Sequence, residues 1–220
     1  MLRVYLFLTF INFGLFSFSQ GNINLYKQYR AGPDPDNFYH SLNYSLYTSL
    51  NGINSDQNYT KTQVGKGFGF VVQNLRSKTF GFSTGIEFNE IRYKYDGFLE
   101  DSSDSINYLS FPLSIRLYPT RKFFFEAGLK YHYFLNAKNS SIINSISRSL
   151  VYPDGYFNNT FGTFIAIQYQ VWKRLNIGLQ YQYLSGKKTN LSGIQPNIFN
   201  GLTIQIGGFM KNPFKRPDQI

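Results

Sequence analysis

The chain has no cysteine, which excludes a disulfide framework and any thiolate-ligated zinc or iron–sulfur site. Charge is scarce: Asp, Glu, Lys and Arg make up 15% of the residues, and 22 cationic side chains outnumber 12 carboxylates, for a net charge of +10. The two histidines, His40 and His132, are too few to assemble a metal site without other ligands. Beyond the N-terminus no run of about 18 apolar residues occurs, so a helical membrane span is excluded there. What is abundant is aromatic. Phe (23), Tyr (18) and the single Trp reach 19%, beside 19 Gly in 220 residues. Disordered chains show the reverse balance, few aromatics and many charges. The composition predicts one all-β domain.

The N-terminus reads as an address. Met1-Leu2-Arg3 is a short basic start, Val4 to Phe16 is mostly apolar, and Ser17-Phe18-Ser19 gives a small-x-small exit. That layout predicts a cleaved signal peptide over residues 1–19 and export from the cytoplasm. Residues 20–37, with Pro33 and Pro35 and no periodicity, read as a periplasmic lead-in. Residues 38–210 carry the fold, and 211–220 form a basic C-terminal tail.

From Phe38 onward apolar and polar residues alternate at period two, the strand signal. In the clearest run Leu109, Phe111, Leu113, Ile115 and Leu117 oppose Ser110, Pro112, Ser114 and Arg116. The next sets Phe123, Phe125, Ala127, Leu129, Tyr131 and Tyr133 against Phe124, Glu126, Gly128, Lys130 and His132. Runs over Phe161–Val171, Leu175–Tyr183 and Leu202–Ile206 follow the same rule. Three noisier runs precede them: Leu42/Tyr44/Leu46/Leu50, Val64/Phe68/Phe70/Val72 and Phe80/Phe82/Ile86/Phe88. Near Asn89-Glu90 the third changes phase, and Ile91, Tyr93 and Tyr95 continue it, which predicts a bulge there. Pro112 removes a ladder donor, so a bulge or a missing bond is expected beside it. Short connections alternate with long polar ones, of which Lys138–Asn158 is the longest. The rhythm predicts an eight-stranded antiparallel up-and-down barrel, with short turns at one end and long loops at the other.

Alternation does not say which face is outside. A soluble lipocalin-like barrel buries its apolar set, whereas a transmembrane barrel exposes it. Only Glu87, Arg116, Glu126 and Lys130 carry charge among the polar set, far below the ~25–35% of a soluble surface. In the apolar set only Lys66 is charged, early in its strand, where it can snorkel. Tyr93/Tyr95, Tyr131/Tyr133 and Tyr181/Tyr183 sit at strand ends, as an aromatic girdle would. The count favours the transmembrane barrel. The soluble ligand-binding barrel remains the contrasting reading.

Tyr108-Leu109-Ser110-Phe111-Pro112-Leu113-Ser114-Ile115-Arg116-Leu117-Tyr118, followed by Phe124-Phe125-Glu126-Ala127-Gly128 through Tyr133-Phe134-Leu135-Asn136-Ala137, resembles the small outer-membrane β-barrel family that includes the PorT-like proteins. The motif covers residues 105–137; the rhythm covers most of the remainder. The resemblance implies an eight-stranded barrel in the outer membrane and, for some relatives, service to a protein-secretion machine. One departure is that the Gly201–Phe209 strand is followed by Met210 to Ile220, where such chains often end at the aromatic residue.

The charged inward set Glu87, Arg116, Glu126 and Lys130, with His132, predicts a neutral polar network filling a narrow lumen. Arg116 and Glu126 flank a short turn and are placed to pair. A barrel lipase or acyltransferase would need His, Ser and an acid together at the lipid interface, whereas His132 faces inward. The expected role is therefore non-enzymatic, structural or interactive through loops and turns, with a lipid-modifying enzyme as the contrasting class and no cofactor implied. Gly65, Gly67 and Gly69 lack the helix that a phosphate loop requires and read as room for bulky lumen neighbours. The basic turns Arg76/Lys78, Arg121/Lys122 and Lys173/Arg174 lie at the short-turn end, suited to anionic headgroups or an acidic partner. Expected partners are outer-membrane lipid, the barrel-assembly machinery during biogenesis and secretion-system components, and not nucleic acid, whose basic-aromatic footprint is missing.

Overall fold

In a computed structural model of the chain, residues 42–57, 59–77, 79–96, 101–120, 122–143, 146–153, 155–185 and 198–211 are described. The expected signal peptide (1–19), the lead-in (20–37) and most of the basic tail lie outside these residues. Nine strands form: β1 Leu42–Ser55, β2 Thr60–Leu75, β3 Phe80–Tyr95, β4 Asp101–Leu117, β5 Phe123–Ile143, β6 Ile146–Val151, β7 Thr160–Gln170, β8 Leu175–Ser185 and β9 Ile198–Phe209. Antiparallel pairing runs β4-β3-β2-β1-β9-β8-β7-β5, and a β4–β5 ladder closes the ring. Eight strands therefore make a closed barrel with no free edge in its wall. β6 pairs with the far half of β5, Ile143 opposite Ile146. The connection read as one long loop, Lys138–Asn158, is thus largely a hairpin standing on the barrel.

Strand lengths are unequal. β7 and β8 have 11 residues each, whereas β4 has 17 and β5 has 21. The excess lies at the long-loop end and builds a cap above a belt. In the belt the expected parity holds throughout. β7 alternates buried and exposed along its whole length, with Phe161, Ile165, Ile167 and Tyr169 outside and Gly162, Phe164, Ala166 and Gln168 inside. Pro112 faces Lys130 on β5, while the β3–β4 ladder skips from Thr84–Leu113 to Glu87–Ser110. The missing donor is accommodated as expected, and the Thr84 hydroxyl donates to the Pro112 carbonyl at 2.9 Å.

Two expectations are corrected. β3 does not change phase at Asn89-Glu90, because its pairing with β4 runs unbroken from Glu87–Ser110 to Tyr95–Ser102. The bulge lies on its neighbour, between Gln63 and Gly67 of β2. Ile91 and Tyr93 therefore point inward and are buried, so Tyr93/Tyr95 form no girdle; Tyr131/Tyr133 and Tyr181/Tyr183 do face outward. What changes at Asn89 is the surroundings. Above it Glu90, Arg92 and Lys94 occupy the outward positions. Inside the cap Ile53, Ile91, Tyr93, Ile106, Tyr108, Ala137, Phe157, Leu184 and Phe199 pack as a soluble-type core.

Candidate functional site

The lumen of the belt is the chemically richest place in the described structure. Its walls are the inward rows of all eight barrel strands, and every sequence-predicted lumen residue lies there. The Arg116 guanidinium pairs with Glu126 at 2.9 Å, and Lys130 pairs with Glu87. All four side chains are buried. The first pair follows from local chain logic, since the short turn after β4 sets Arg116 opposite Glu126. The second spans β3 and β5, which flank β4, and so reaches over the inward face of that strand. Both cations also meet rings: Arg116 lies 5.0 Å from the centre of Phe124, and Lys130 4.6 Å from that of Phe164.

Neutral side chains complete the network, and these the sequence reading did not single out. Glu126 accepts from Ser83 at 2.8 Å and from Ser114. Arg116 donates to Gln73 at 2.8 Å, and Lys130 to Gln180 at 3.2 Å. Asn176 donates to Gln168 at 2.6 Å, Gln168 reaches Gln205 at 3.4 Å, and Gln205 donates to Gln180 at 3.2 Å. His132 Nδ1 lies 2.7 Å from the Ser110 hydroxyl, which Asn89 also approaches, at 3.2 Å. Their signal was inward parity on a strand, the same signal that marked the charges. Uncharged Gln and Ser simply do not stand out. Buried charges persist where each is paired, and all four charges of this network are.

The network is sealed at both ends. At the short-turn end Leu75, Tyr118, Phe124 and Phe209 form a buried apolar cluster. At the other end lies the cap core. Between them a cavity of about 20 Å³ touches Ser45, Tyr47, Glu87, Arg116, Glu126 and Gln180. That is room for about one water molecule and not for a solute. Gly69 shows how the space is filled: a Cβ there would lie 2.5 Å from the Tyr47 ring. Gly69 thus makes room for a bulky lumen neighbour, as read from the sequence, whereas Gly67 faces the Ser49 hydroxyl and Gly65 the backbone of Glu90. Ser110 and His132 meet, but at 0% and 1% exposure, and the Tyr108 ring lies 5.8 Å from the imidazole. No substrate reaches that pair without opening the cap.

A second cluster was missed altogether. Asp104, buried inside the cap, accepts hydrogen bonds from Tyr93 (2.8 Å), Tyr95 (2.8 Å), Asn139 (2.7 Å) and Tyr152 (2.9 Å). The carboxylate ties β3, β4, β5 and the segment after β6 together. Asp104 shares the parity of Ile106 and Tyr108, which would have marked it as inward had the strand been read from Asp101. Beside Asp104, burial and the carboxylate charge push the Tyr152 phenol well above its ordinary value. Of the basic turn residues, Arg76, Lys122, Lys173 and Arg174 are exposed at the short-turn end; Lys78 and Arg121 lie outside the described residues.

The barrel's outer wall is the reverse of a soluble surface. Leu46, Phe68, Leu113, Leu129, Phe161 and Ile165 are all more than half exposed. Lys66 is exposed near the top of this wall, and its backbone N–H donates to Glu90 at 3.3 Å.

No protein-family model matches the chain. No curated protein matches it. Among solved structures, the chain is similar to Ail, the attachment invasion locus protein of Yersinia pestis, at 13% identity and a TM-score of 0.46, covering 77% of this chain and 97% of that one. It is similar to the outer membrane protein OprG of Pseudomonas aeruginosa at 12% identity and a TM-score of 0.45, covering 81% of this chain and 100% of that one. A major outer membrane protein of Thermus thermophilus gives 12% identity and a TM-score of 0.43, covering 78% and 100%. Likenesses at this level assign no function, and the barrel stands on its own strand pairing.

Proposed function

We propose that the chain is an integral outer-membrane barrel, exported by its N-terminal segment, with a side-chain-filled lumen and a non-enzymatic role exercised through its cap and turns. The observation that carries this reading is the apolar belt around a buried, ion-paired interior. In water that belt would leave several hundred Å² of contiguous apolar surface uncovered, which monomeric soluble proteins rarely do. In hydrocarbon every backbone donor must be paired within the protein, and a closed barrel achieves that. β7 and β8 match the ~9–11 residues that a tilted strand needs to cross.

The lumen then acts as ballast. Glu87, Arg116, Glu126, Lys130 and His132 join the neutral Gln, Asn and Ser side chains in filling a cylinder just wide enough for them. What the protein offers to a partner is the cap, whose outer face is polar, and the β5–β6 hairpin, where Ile142, Ile146, Leu150 and Val151 are exposed. The stretches that carry the PorT-like resemblance form one paired unit, β4 with β5. Fractionation tests the reading. The protein is expected in the outer membrane, released only by detergent, and to migrate differently on gels before and after heating. Recovery as a soluble monomer without surfactant would overturn it. In planar bilayers a plugged lumen is expected to conduct negligibly.

A further inference from the structure

The belt is not uniformly filled. On its outer wall the row Ile115–Ala127–Ile165 places a methyl group between large side chains, with Phe125 and Leu129 flanking it along β5. The result is an apolar groove of about 540 Å³, walled by Leu117, Phe125, Ile165, Ile167 and Leu179 and floored by Ala127. The strands that wall it carry cations at their short-turn ends. The Lys122 carbonyl accepts from the Gln170 backbone at 2.6 Å, which sets Lys122 beside the end of β7; Lys173 and Arg174 lead into β8. Among the described residues every carboxylate near this end lies inside the lumen, so the rim is cationic only. Trp172, 72% exposed, stands next to Lys173.

From these observations, and resting on the membrane reading above, we infer that groove and rim form one binding site for an anionic phospholipid of the leaflet at the short-turn end. The phosphate would sit among Lys122, Lys173 and Arg174, and an acyl chain would lie along the groove. The reach is right. Ala127 is five residues from Lys122. At about 3.3 Å per residue and a tilt of about 45° that places it about 12 Å below the rim, inside one leaflet of a core about 30 Å thick. In a bilayer the medium that fills an apolar groove is an acyl chain, and each basic side chain at the surface favours an anionic headgroup about fivefold.

Trp172 is the chain's single tryptophan and therefore a local probe. The full chain is refolded into phosphatidylcholine vesicles containing a minor fraction of phosphatidylglycerol. In paired samples an equal mole fraction of one or the other lipid carries brominated chains, which quench indole fluorescence on contact. Brominated phosphatidylglycerol is expected to quench Trp172 several-fold more than brominated phosphatidylcholine. The triple variant Lys122→Gln/Lys173→Gln/Arg174→Gln is expected to bring the two to parity. Ala127→Phe, which fills the groove without touching charge, is expected to narrow the gap, with heat-modifiable migration confirming that each variant has folded. Equal quenching by both lipids in the unaltered protein would overturn the site while leaving the membrane reading intact. Quenching by neither would overturn the membrane reading itself. Equal quenching with a cross-linked dimer that Ala127→Phe abolishes would give the groove to a second copy and overturn the lipid site.

Discussion

Strand β4 runs through two opposite worlds without changing its parity. In the belt Leu113 points outward at 64% exposure, and Ser114 and Arg116 point inward at 3%. In the cap the inward row becomes Asp104, Ile106 and Tyr108, with Ile106 at 0%, while Ser105 and Asn107 take the outer face. The backbone is continuous and the ladder with β3 is kept on both sides of Pro112. What differs is the medium each level meets. Where the outside is hydrocarbon, polar groups are driven inward and must satisfy one another. Where it is water, the apolar groups go in and the burial itself stabilises. The same barrel is inside-out below Asn89 and right-side-out above it.

The largest effect is expected from breaking the belt's interior. Arg116→Leu leaves the Glu126 carboxylate buried without its partner, a loss of about 3–5 kcal/mol. The double variant Arg116→Leu/Glu126→Leu is expected to recover most of that in urea unfolding from lipid vesicles. If the double is as unstable as the single, the pair is not the source of the loss.

The same truncation is expected to cost differently at the two levels. Ile106→Ala opens a cavity in the cap core and is expected to cost about 2–5 kcal/mol of local stability, read as faster hydrogen exchange in the upper parts of β3, β4 and β5. Ile165→Ala on the outer wall loses only contact with lipid, about 0.5 kcal/mol. Conversely, a charge is costly on the belt and cheap on the cap. Leu113→Lys is expected to destabilise by about 2–4 kcal/mol. Ser103→Lys, on the cap's outer face, is expected to stay within about 0.5 kcal/mol. Equal costs at the two levels would remove the contrast.

The smallest effect is a pH dependence of the cap. The Tyr152 phenol is held above its ordinary value by burial and the Asp104 carboxylate. A raised folded-state value means that its contribution is fully present below the unfolded value of about 10 and is lost as pH climbs toward the folded one. Alkaline solution should therefore loosen the cap while the belt persists, and Tyr152→Phe should reduce the amplitude of the late tyrosinate absorbance by one tyrosine. A belt that melts first would contradict this.

The belt was legible in the sequence because its alternation is long and its charge count low, and because each short turn fixes the register of the strands it joins. Arg116 with Glu126 could be read that way. Glu87 with Lys130 could not, since their strands are not adjacent: β3 and β5 flank β4, and the pair forms only because two long side chains reach over its inward face at Ser110. The cap was misread for a physical reason. Period two reports parity and is silent on the medium, so Ile91, Tyr93 and Tyr95 looked like an outward row displaced by one residue. β6 escaped notice because Ile146–Val151 is six residues long and exposed on both faces, with no buried row to set a period.

The central claim is that hydrocarbon surrounds the belt and water surrounds the cap. The absence of cysteine makes it directly testable, because a single introduced thiol can be labelled at any chosen site. A fluorescent label at each position from 161 to 169 in turn, and at 90, 92 and 94, is exposed to a quencher carried on lipid chains and to one dissolved in water. Odd positions on β7 are expected to respond to the lipid quencher, even positions to neither, and 90, 92 and 94 to the aqueous one. Aqueous quenching at 161, 165 and 167 in the refolded protein would contradict the account.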